Sequence, residues 1–176
     1  MAYQNGGFDR DRAVADIEVL LARPVPADGP TESEYDPLSG ERTGTAGEGF
    51  VLARLWASRW LDDLSVEEWH AEVAGGDLKA LDLTAELTRR WGPARQVAMH
   101  PAMFRHQAGE PLPPVFQALC DADDFGDLTV WGPVPAGPAG AERWVGISVG
   151  HGDDKAPLVL TAVVTDRDIV ELDDPL

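Results

Sequence analysis

Three β-branched segments near the C-terminal end of the chain constrain its fold more than any other feature of the sequence. They cover residues 128–134, 143–150 and 158–165, and the last of them reads LVLTAVVT. The connections between them, PAGPAGAE and HGDDKA, are short and rich in turn-forming residues. Two strands that are joined by a short turn usually lie side by side in opposite directions, so the sequence predicts an antiparallel meander.

Helical spacing dominates the part of the chain that precedes this meander. Apolar residues recur at intervals of three and four over residues 11–22 and 48–61. At Ser65 the motif S-V-E-E is typical of a helix N-terminus. Gly75-Gly76 is expected to end that helix and to separate it from another over residues 78–91.

Shorter and less regular segments complete the prediction. A short strand is expected over residues 95–99, a short helix over 115–120 and a last short strand over 169–172. The prolines of residues 101–114 predict irregular structure. Residues 24–49 consist mainly of Pro, Gly, Ser, Thr and acidic residues, so we expect a long mobile loop there.

Helices followed by a strand meander indicate the α+β class. The 176 residues are within the usual size of one domain. We therefore expect a single domain over residues 1–176, with a helical part over 50–91 and an antiparallel sheet part over 94–172. The N-terminal helices would pack on a C-terminal sheet of three to five strands.

The net charge limits the partners that the chain can bind. It is −17 at pH 7, from 31 acidic and 14 basic residues. Residues 116–176 hold 12 acidic and 3 basic residues, whereas residues 65–115 hold 7 and 5. Such a chain repels nucleic-acid phosphates and anionic membranes, and it attracts basic proteins. The alternative interpretation is that the acidity only maintains solubility.

The single cysteine, Cys120, cannot form an internal disulfide, which fits a reducing compartment. We expect it to be buried, because it follows the apolar run of residues 115–119. The N-terminal residues lack an apolar stretch behind a basic patch, and no apolar run reaches the roughly 20 residues of a membrane helix. The composition resembles that of GC-rich bacterial genomes. These features predict a bacterial cytoplasmic protein.

Residues 146–150 match the hydrolase motif G-x-S-x-G, with Ser148 at its centre. In α/β-hydrolases the serine lies on a turn between a strand and a helix. Here a turn and another strand follow, and the only later histidine is His151. The sequence instead predicts an ordinary strand, in which Val145, Ile147 and Val149 face one side of the sheet.

No sequence pattern indicates a metal or cofactor site. The segment DADDFG resembles the start of a calcium loop, but Phe125 and Gly132 stand where two of the ligands are required. The histidines lack the i, i+4 spacing of a helical metal site, although a site assembled from distant positions stays open. They are His70, His100, His106 and His151. No phosphate-binding glycine loop is present.

The tryptophans are divided between helices and strands. Trp56, Trp60, Trp69 and Trp91 lie on the predicted helical stripes and are expected in the core. Trp131 and Trp144 flank one hairpin connection and are expected to face each other across it. They would be covered by the N-terminal helices or would form an exposed binding patch.

Three classes of function are consistent with these features. The first is an acidic module, such as an inhibitor, an immunity-type protein or a chaperone, that binds a basic partner protein and has no catalytic residues. Its expected contact residues are Asp121, Asp123, Asp124, Asp127, Asp153, Asp154, Trp131 and Trp144.

The second class is an enzyme or small-ligand-binding protein. Its site would lie between the sheet and the loops at 24–49 or 101–114, and the candidate groups are Tyr35, His100, Arg105 and His106. The third class is an accessory subunit of an oligomeric assembly, including a homo-oligomer. In that case a sheet edge or the face with Trp131 and Trp144 would be buried in the assembly.

Overall fold

The computed structural model describes residues 3–5 and 7–175 and has one central sheet with helices on both faces. Its elements follow in the order β1 (Gln4–Asn5), α1 (Arg10–Ala22), β2 (Glu32–Tyr35), β3 (Arg42–Gly47), β4 (Phe50–Ala57), α2 (Val66–Trp91), β5 (Arg95–Val97), α3 (His100–Gln107), α4 (Pro114–Asp121), β6 (Leu128–Val134), β7 (Arg143–Gly150) and β8 (Val159–Thr165). In the described residues no helix combines the length and hydropathy that a membrane span requires.

The strand order in the sheet is β2-β3-β4-β8-β7-β6-β5, and each neighbouring pair on this path is antiparallel. The short strand β1 pairs in parallel with the end of β4, so that Gln4 lies opposite Trp56. The α+β class, the antiparallel sheet and the meander β6-β7-β8 are therefore confirmed. The expected size of three to five strands is wrong, because β2, β3 and β4 extend the sheet beyond the meander.

Helices cover both faces of the sheet, so they do not form one N-terminal layer as expected. On one face α1 and α2 pack against the alternate residues that include Val145, Ile147 and Leu160. On the other face α3 and α4 pack against residues that include Leu52, Leu128 and Val163. The prediction that Val145 and Ile147 share a face of β7 is confirmed.

The predicted helix over 48–61 is wrong, because residues 50–57 form β4, an interior strand of the sheet. Both faces of this strand are covered, so Val51 and Leu52 point to opposite layers of the core and both are buried. A strand that is buried on both faces is apolar at nearly every position. Such a run of apolar residues fits the spacing of an amphipathic helix as well as that of a strand, so the spacing alone cannot distinguish a helix from a buried strand.

Two segments that were predicted to be irregular are partly regular. Residues 24–49 contain β2 and β3, which form an antiparallel hairpin at one edge of the sheet. Residues 101–114 contain most of α3, which has Pro101 near its start, where the missing N–H of proline costs no hydrogen bond. Conversely, residues 169–172 form no strand, although Ile169 is buried in the core.

The predicted break at Gly75-Gly76 does not occur, and α2 continues through both glycines to Trp91. Gly76 is buried, and a Cβ atom there would lie 3.1 Å from Cδ1 of Leu158. Because Gly76 has no side chain, α2 approaches the sheet closely at this point. The start of α2 is as predicted, since Ser65 and Glu68 form a complete capping box.

Candidate functional site

A cleft of about 320 Å³ opens on the α4 side of the sheet, where β4 and β7 end and β8 begins. The loop that connects β7 to β8 forms one wall. The residues that give the cleft its chemistry are Tyr3, Arg54, Trp60, Asp124, His151 and Thr161. The volume is at the lower end of the range for small-molecule sites.

The floor of the cleft lies on a row of side chains that crosses three strands. Thr161 on β8 pairs with Arg54 on β4 and with Ser148 on β7. Residues that are paired across neighbouring strands point to the same face of the sheet. Thr161 and Ser148 are 4% and 3% exposed, so the row continues from the cleft into the protein interior.

Asp124 comes from the connection between α4 and β6 and lies above this row. It is only 6% exposed and lines the cleft. Oγ of Ser148 lies 3.1 Å from Oδ1 of Asp124 and donates a hydrogen bond to it. Oδ2 is buried and receives no hydrogen bond of normal geometry from the described residues.

Burial raises the pKa of Asp124 to about 6, although the hydroxyls of Thr161 and Ser148 and the positive charge of Arg54 act in the opposite direction. The carboxyl group therefore changes its protonation state near pH 6. It donates a hydrogen bond when it is protonated and only accepts hydrogen bonds when it is ionised.

The backbone after Asp124 lies unusually close to β7. A Cβ atom at Gly126 would lie 2.2 Å from the carbonyl oxygen of Val149, a distance that no side chain tolerates. The carbonyl oxygen of Gly126 also accepts a hydrogen bond of 2.8 Å from Ser148. Glycine at this position therefore allows the connection to reach the sheet and to hold Asp124 in place.

Arg54 supplies a half-buried positive charge next to Asp124. None of the ion pairs of the described residues includes it, although its charge acts on both Asp124 and Tyr3. The hydroxyl of Tyr3 donates to Glu41, and the Arg54 side chain also forms a hydrogen bond with this phenol. Burial, with the adjacent Glu41, raises the pKa of Tyr3, so this phenol keeps its proton. A guanidinium has five N–H donors, so Arg54 retains donors for another group.

The rim of the cleft is polar, with one exposed aromatic ring. Arg59 forms an ion pair with Glu72 at 2.9 Å, and Nη1 of Arg42 lies 3.5 Å from the carbonyl oxygen of Asp121. Trp60 is 63% exposed, so the expectation that this residue belongs to the core is wrong. Its position after the end of β4, rather than on a helix, explains the exposure.

The two acidic turns that contain the predicted contact residues lie next to each other. A Cβ atom at Gly152 would lie 2.8 Å from Cβ of Asp123, so the connection after α4 contacts the loop after β7. Asp123 and Asp153 line the cleft, and Asp154 is exposed on the same loop as Asp153. Whether they contact a partner stays a prediction.

The acidic residues of these turns also have local roles. Oδ1 of Asp153 accepts from the backbone N–H groups of Lys155 and Ala156, and these bonds lower the pKa of Asp153. Asp127 accepts from the N–H of Met99 at 2.8 Å, and Asp121 accepts from the side chain of Gln117. Asp124 differs from the others because it is buried.

Trp131 and Trp144 do not face each other, because they point to opposite faces of the sheet. Trp131 is 1% exposed, lies beneath α2 and contacts the ring of Trp91 with 6.2 Å between centroids. Trp144 is half-buried against the other layer. A Cβ atom at Gly132 would lie 2.5 Å from Cδ1 of Trp144. The pair therefore forms no exposed aromatic patch, and Trp131 is not available to a partner.

The candidate groups of the ligand-binding hypothesis lie elsewhere. His100 is paired with Asp174 at 2.8 Å and His106 lies near Gln117, both outside the cleft. Of the four histidines only His151 lines the cleft, where its Nδ1 lies 2.6 Å from the carbonyl oxygen of Asp153. Within residues 3–5 and 7–175 no group of three or more His, Cys, Asp or Glu side chains could hold a metal ion.

Arg54 was not predicted as a site residue, because the apolar spacing of residues 48–61 predicts a helix. A polar residue in an otherwise buried strand is the signal that identifies it. The sequence of β4 is FVLARLWA, in which arginine is the one charged residue, and a charge in a buried strand requires a partner or a cavity.

No protein-family model, curated protein or solved structure matches the chain.

Proposed function

We propose that the protein binds a small amphoteric molecule, of the size and chemistry of an amino acid, in this cleft. The observation that carries the proposal is that Arg54 and Asp124 line the same cleft, close enough for the positive charge of Arg54 to lower the pKa of Asp124. One is a half-buried guanidinium outside every ion pair of the described residues, and the other is a buried carboxyl whose Oδ2 atom lacks a partner there.

The chemistry of these two groups supports the ligand class. A guanidinium binds a carboxylate with two parallel hydrogen bonds, and a carboxylate binds an ammonium group. A buried polar atom without a partner is costly, and a ligand that supplies the missing hydrogen bond recovers that cost. Apolar residues on the walls, among them Leu52, Leu119 and Val159, provide contacts for an aliphatic or aromatic group.

Ligand-observed NMR with the twenty amino acids, and with matched monocarboxylates and alkylamines, tests this proposal. We expect at least one amino acid to bind, and the analogue that lacks the amine or the carboxylate to bind about tenfold more weakly. The absence of amino-acid binding at about 10 mM, well above the roughly 1 mM Kd of a weak complex, would contradict the proposal.

Two variants locate the binding in the cleft. Arg54→Gln should remove most of the affinity, because glutamine has no charge and cannot form the bidentate pair. Arg10→Gln is the matched control, since Arg10 lies on α1 on the opposite side of the sheet and pairs with Asp82. Equal affinity in both variants would place the ligand elsewhere.

The contact between the two acidic turns favours a second candidate function, an acidic module for a basic partner protein. Asp123, Asp153 and Asp154 bring several negative charges to one end of the sheet, where they attract a basic surface. The proposal agrees with the concentration of acidic residues in the C-terminal third of the chain.

Capture of partners from a low-salt extract tests this candidate. A variant with Asp123→Asn, Asp153→Asn and Asp154→Asn removes three charges, and the asparagine oxygen can still accept the turn hydrogen bonds of residue 153. We expect a basic protein to bind the wild type, to bind this variant more weakly and to dissociate as salt rises. Binding that is indifferent to salt contradicts the electrostatic basis of this candidate.

A further inference from the structure

The outer face of α2 is apolar and exposed. Leu78 and Leu81, at its centre, are 67% and 63% exposed. Three exposed alanines continue the same face toward the two ends of the helix, at positions 71, 74 and 85. The inner face of the helix packs on the sheet through Leu83 and Leu87, so the outer stripe has no role in the core.

The spacing of this stripe is that of a helix–helix seam. Its positions alternate by three and four residues, which is the a and d pattern of a heptad repeat. Apolar surface on a helix that already buries another face indicates a contact with a further element. Alanine next to leucine lets two helix axes approach to about 8 Å, the short end of the usual range.

Charges at the two ends of the stripe determine which orientation is favourable. The first turn of α2 is acidic, with Glu67 and Glu68, and the last turn is basic, with Arg89 and Arg90. A parallel pair of such helices would place like charges together. An antiparallel pair would place the acidic end of each helix against the basic end of the other, with opposed dipoles.

One register matches the central leucine, two of the alanines and the charged positions. Leu78 lies midway between Ala71 and Ala85 along the helix, and also midway between Glu67 and Arg89. A twofold axis at Leu78 therefore places Leu78 on its own copy, Ala71 on Ala85 and Glu67 on Arg89. In the same register Leu81 lies opposite Gly75 of the other copy, and Ala74 lies opposite Asp82. An isologous dimer requires this kind of self-complementary surface.

We propose that the outer face of α2 binds the same face of a second copy of this chain, in an antiparallel pair centred on Leu78. The paired segment from Glu67 to Arg89 is about 33 Å long at 1.5 Å per residue. The remaining negative charge of the two chains opposes association, so the dimer should be stronger at moderate salt than at very low salt. This surface is distinct from the cleft, and the two proposals can fail independently.

Cross-linking tests the position of the axis. In Leu78→Cys the two new cysteines should lie within the 4.4–6.8 Å Cα separation, as a rough range, that a disulfide requires. Mild oxidation should therefore give a dimer whose peptide map shows the bond at position 78. Leu38→Cys is the control, because Leu38 is 97% exposed in the connection between β2 and β3 and should form little dimer. Equal cross-linking of both variants would overturn the proposal.

Charge exchange tests the orientation. Sedimentation equilibrium should show a dimer for the wild type, and Glu67→Arg and Arg89→Glu should each weaken it about tenfold. The double variant should restore the affinity, because arginine at position 67 then pairs with glutamate at position 89 of the other copy. A wild-type monomer throughout the measurable range overturns the proposal, and a dimer that neither single change weakens overturns the antiparallel register.

Discussion

Oγ of Ser148 lies 3.1 Å from Oδ1 of Asp124 and 2.8 Å from the carbonyl oxygen of Gly126. A hydroxyl carries one proton, and a carbonyl oxygen can only accept. The single serine proton is therefore shared between the two acceptors. Its hydrogen bond to Asp124 lowers the pKa of that carboxyl by less than burial raises it.

The first prediction concerns the pH dependence of stability. The pKa of Asp124 is raised from 3.8 to about 6 on folding, so the folded protein binds this proton more tightly than the unfolded chain does. Its stabilising effect is complete below about pH 4 and is lost as the pH rises to about 6, and the loss amounts to about 3 kcal/mol. In Asp124→Asn this loss should be absent.

Urea unfolding of both proteins from pH 4 to pH 7 measures the effect. The other carboxylates titrate in both proteins, so the difference between the two unfolding free energies isolates Asp124. As the pH rises, the unfolding free energy of Asp124→Asn should increase relative to that of the wild type. A difference that stays constant with pH would show that Asp124 has an ordinary pKa.

The second prediction is that Ser148→Ala raises the pKa of Asp124 further, because the hydroxyl of Ser148 lowers that pKa. The change also leaves the carbonyl oxygen of Gly126 without this donor, which should cost about 1–3 kcal/mol of unfolding free energy. NMR titration of the Asp124 side-chain carbon measures the shift. A lower pKa in Ser148→Ala would contradict this account of the pair.

The third prediction compares two adjacent glycines of α2. At Gly75 a Cβ atom would meet only the flexible end of Lys79 at 3.6 Å, so Gly75→Ala should stabilise the protein by about 0.5–1 kcal/mol. At Gly76 the Cβ would already lie 3.1 Å from Leu158, so Gly76→Val should destabilise it by about 1–3 kcal/mol through overpacking. Chemical unfolding of the two variants decides the point, and equal effects would mean that α2 does not approach the sheet at Gly76.

The same two glycines show what the sequence can and cannot predict. Their helix-breaking tendency is local, whereas the packing that keeps α2 continuous involves Leu158, about eighty residues away along the chain. The meander was predictable because its strands and turns are contiguous in sequence. Strand β4 was not, because burial on both faces removes the alternation that identifies a strand.

The candidate site was predictable only in part, for a similar reason. The acidic turns at Asp123 and Asp153 are visible as local charge clusters, and their location at neighbouring turns follows from the meander. The cleft also requires Arg54, which pairs with Thr161 only because β4 lies beside β8. No local sequence pattern predicts that β4 and β8 are neighbours, since the two strands are about a hundred residues apart in sequence.

The last prediction concerns the single thiol. Cys120 is 1% exposed, and burial, with the nearby Asp121 and Asp124, raises the pKa of its thiol to about 11. The thiolate is the reactive form, so a neutral thiol that solvent cannot reach should react very slowly with a disulfide reagent at pH 8. The native protein should remain unlabelled while the protein in urea is labelled once per chain. The variant Leu38→Cys provides an exposed thiol in the same fold and should react at once at that one position. Rapid labelling of the native wild-type protein would mean that α4 opens readily, and would contradict the burial of this helix against the sheet.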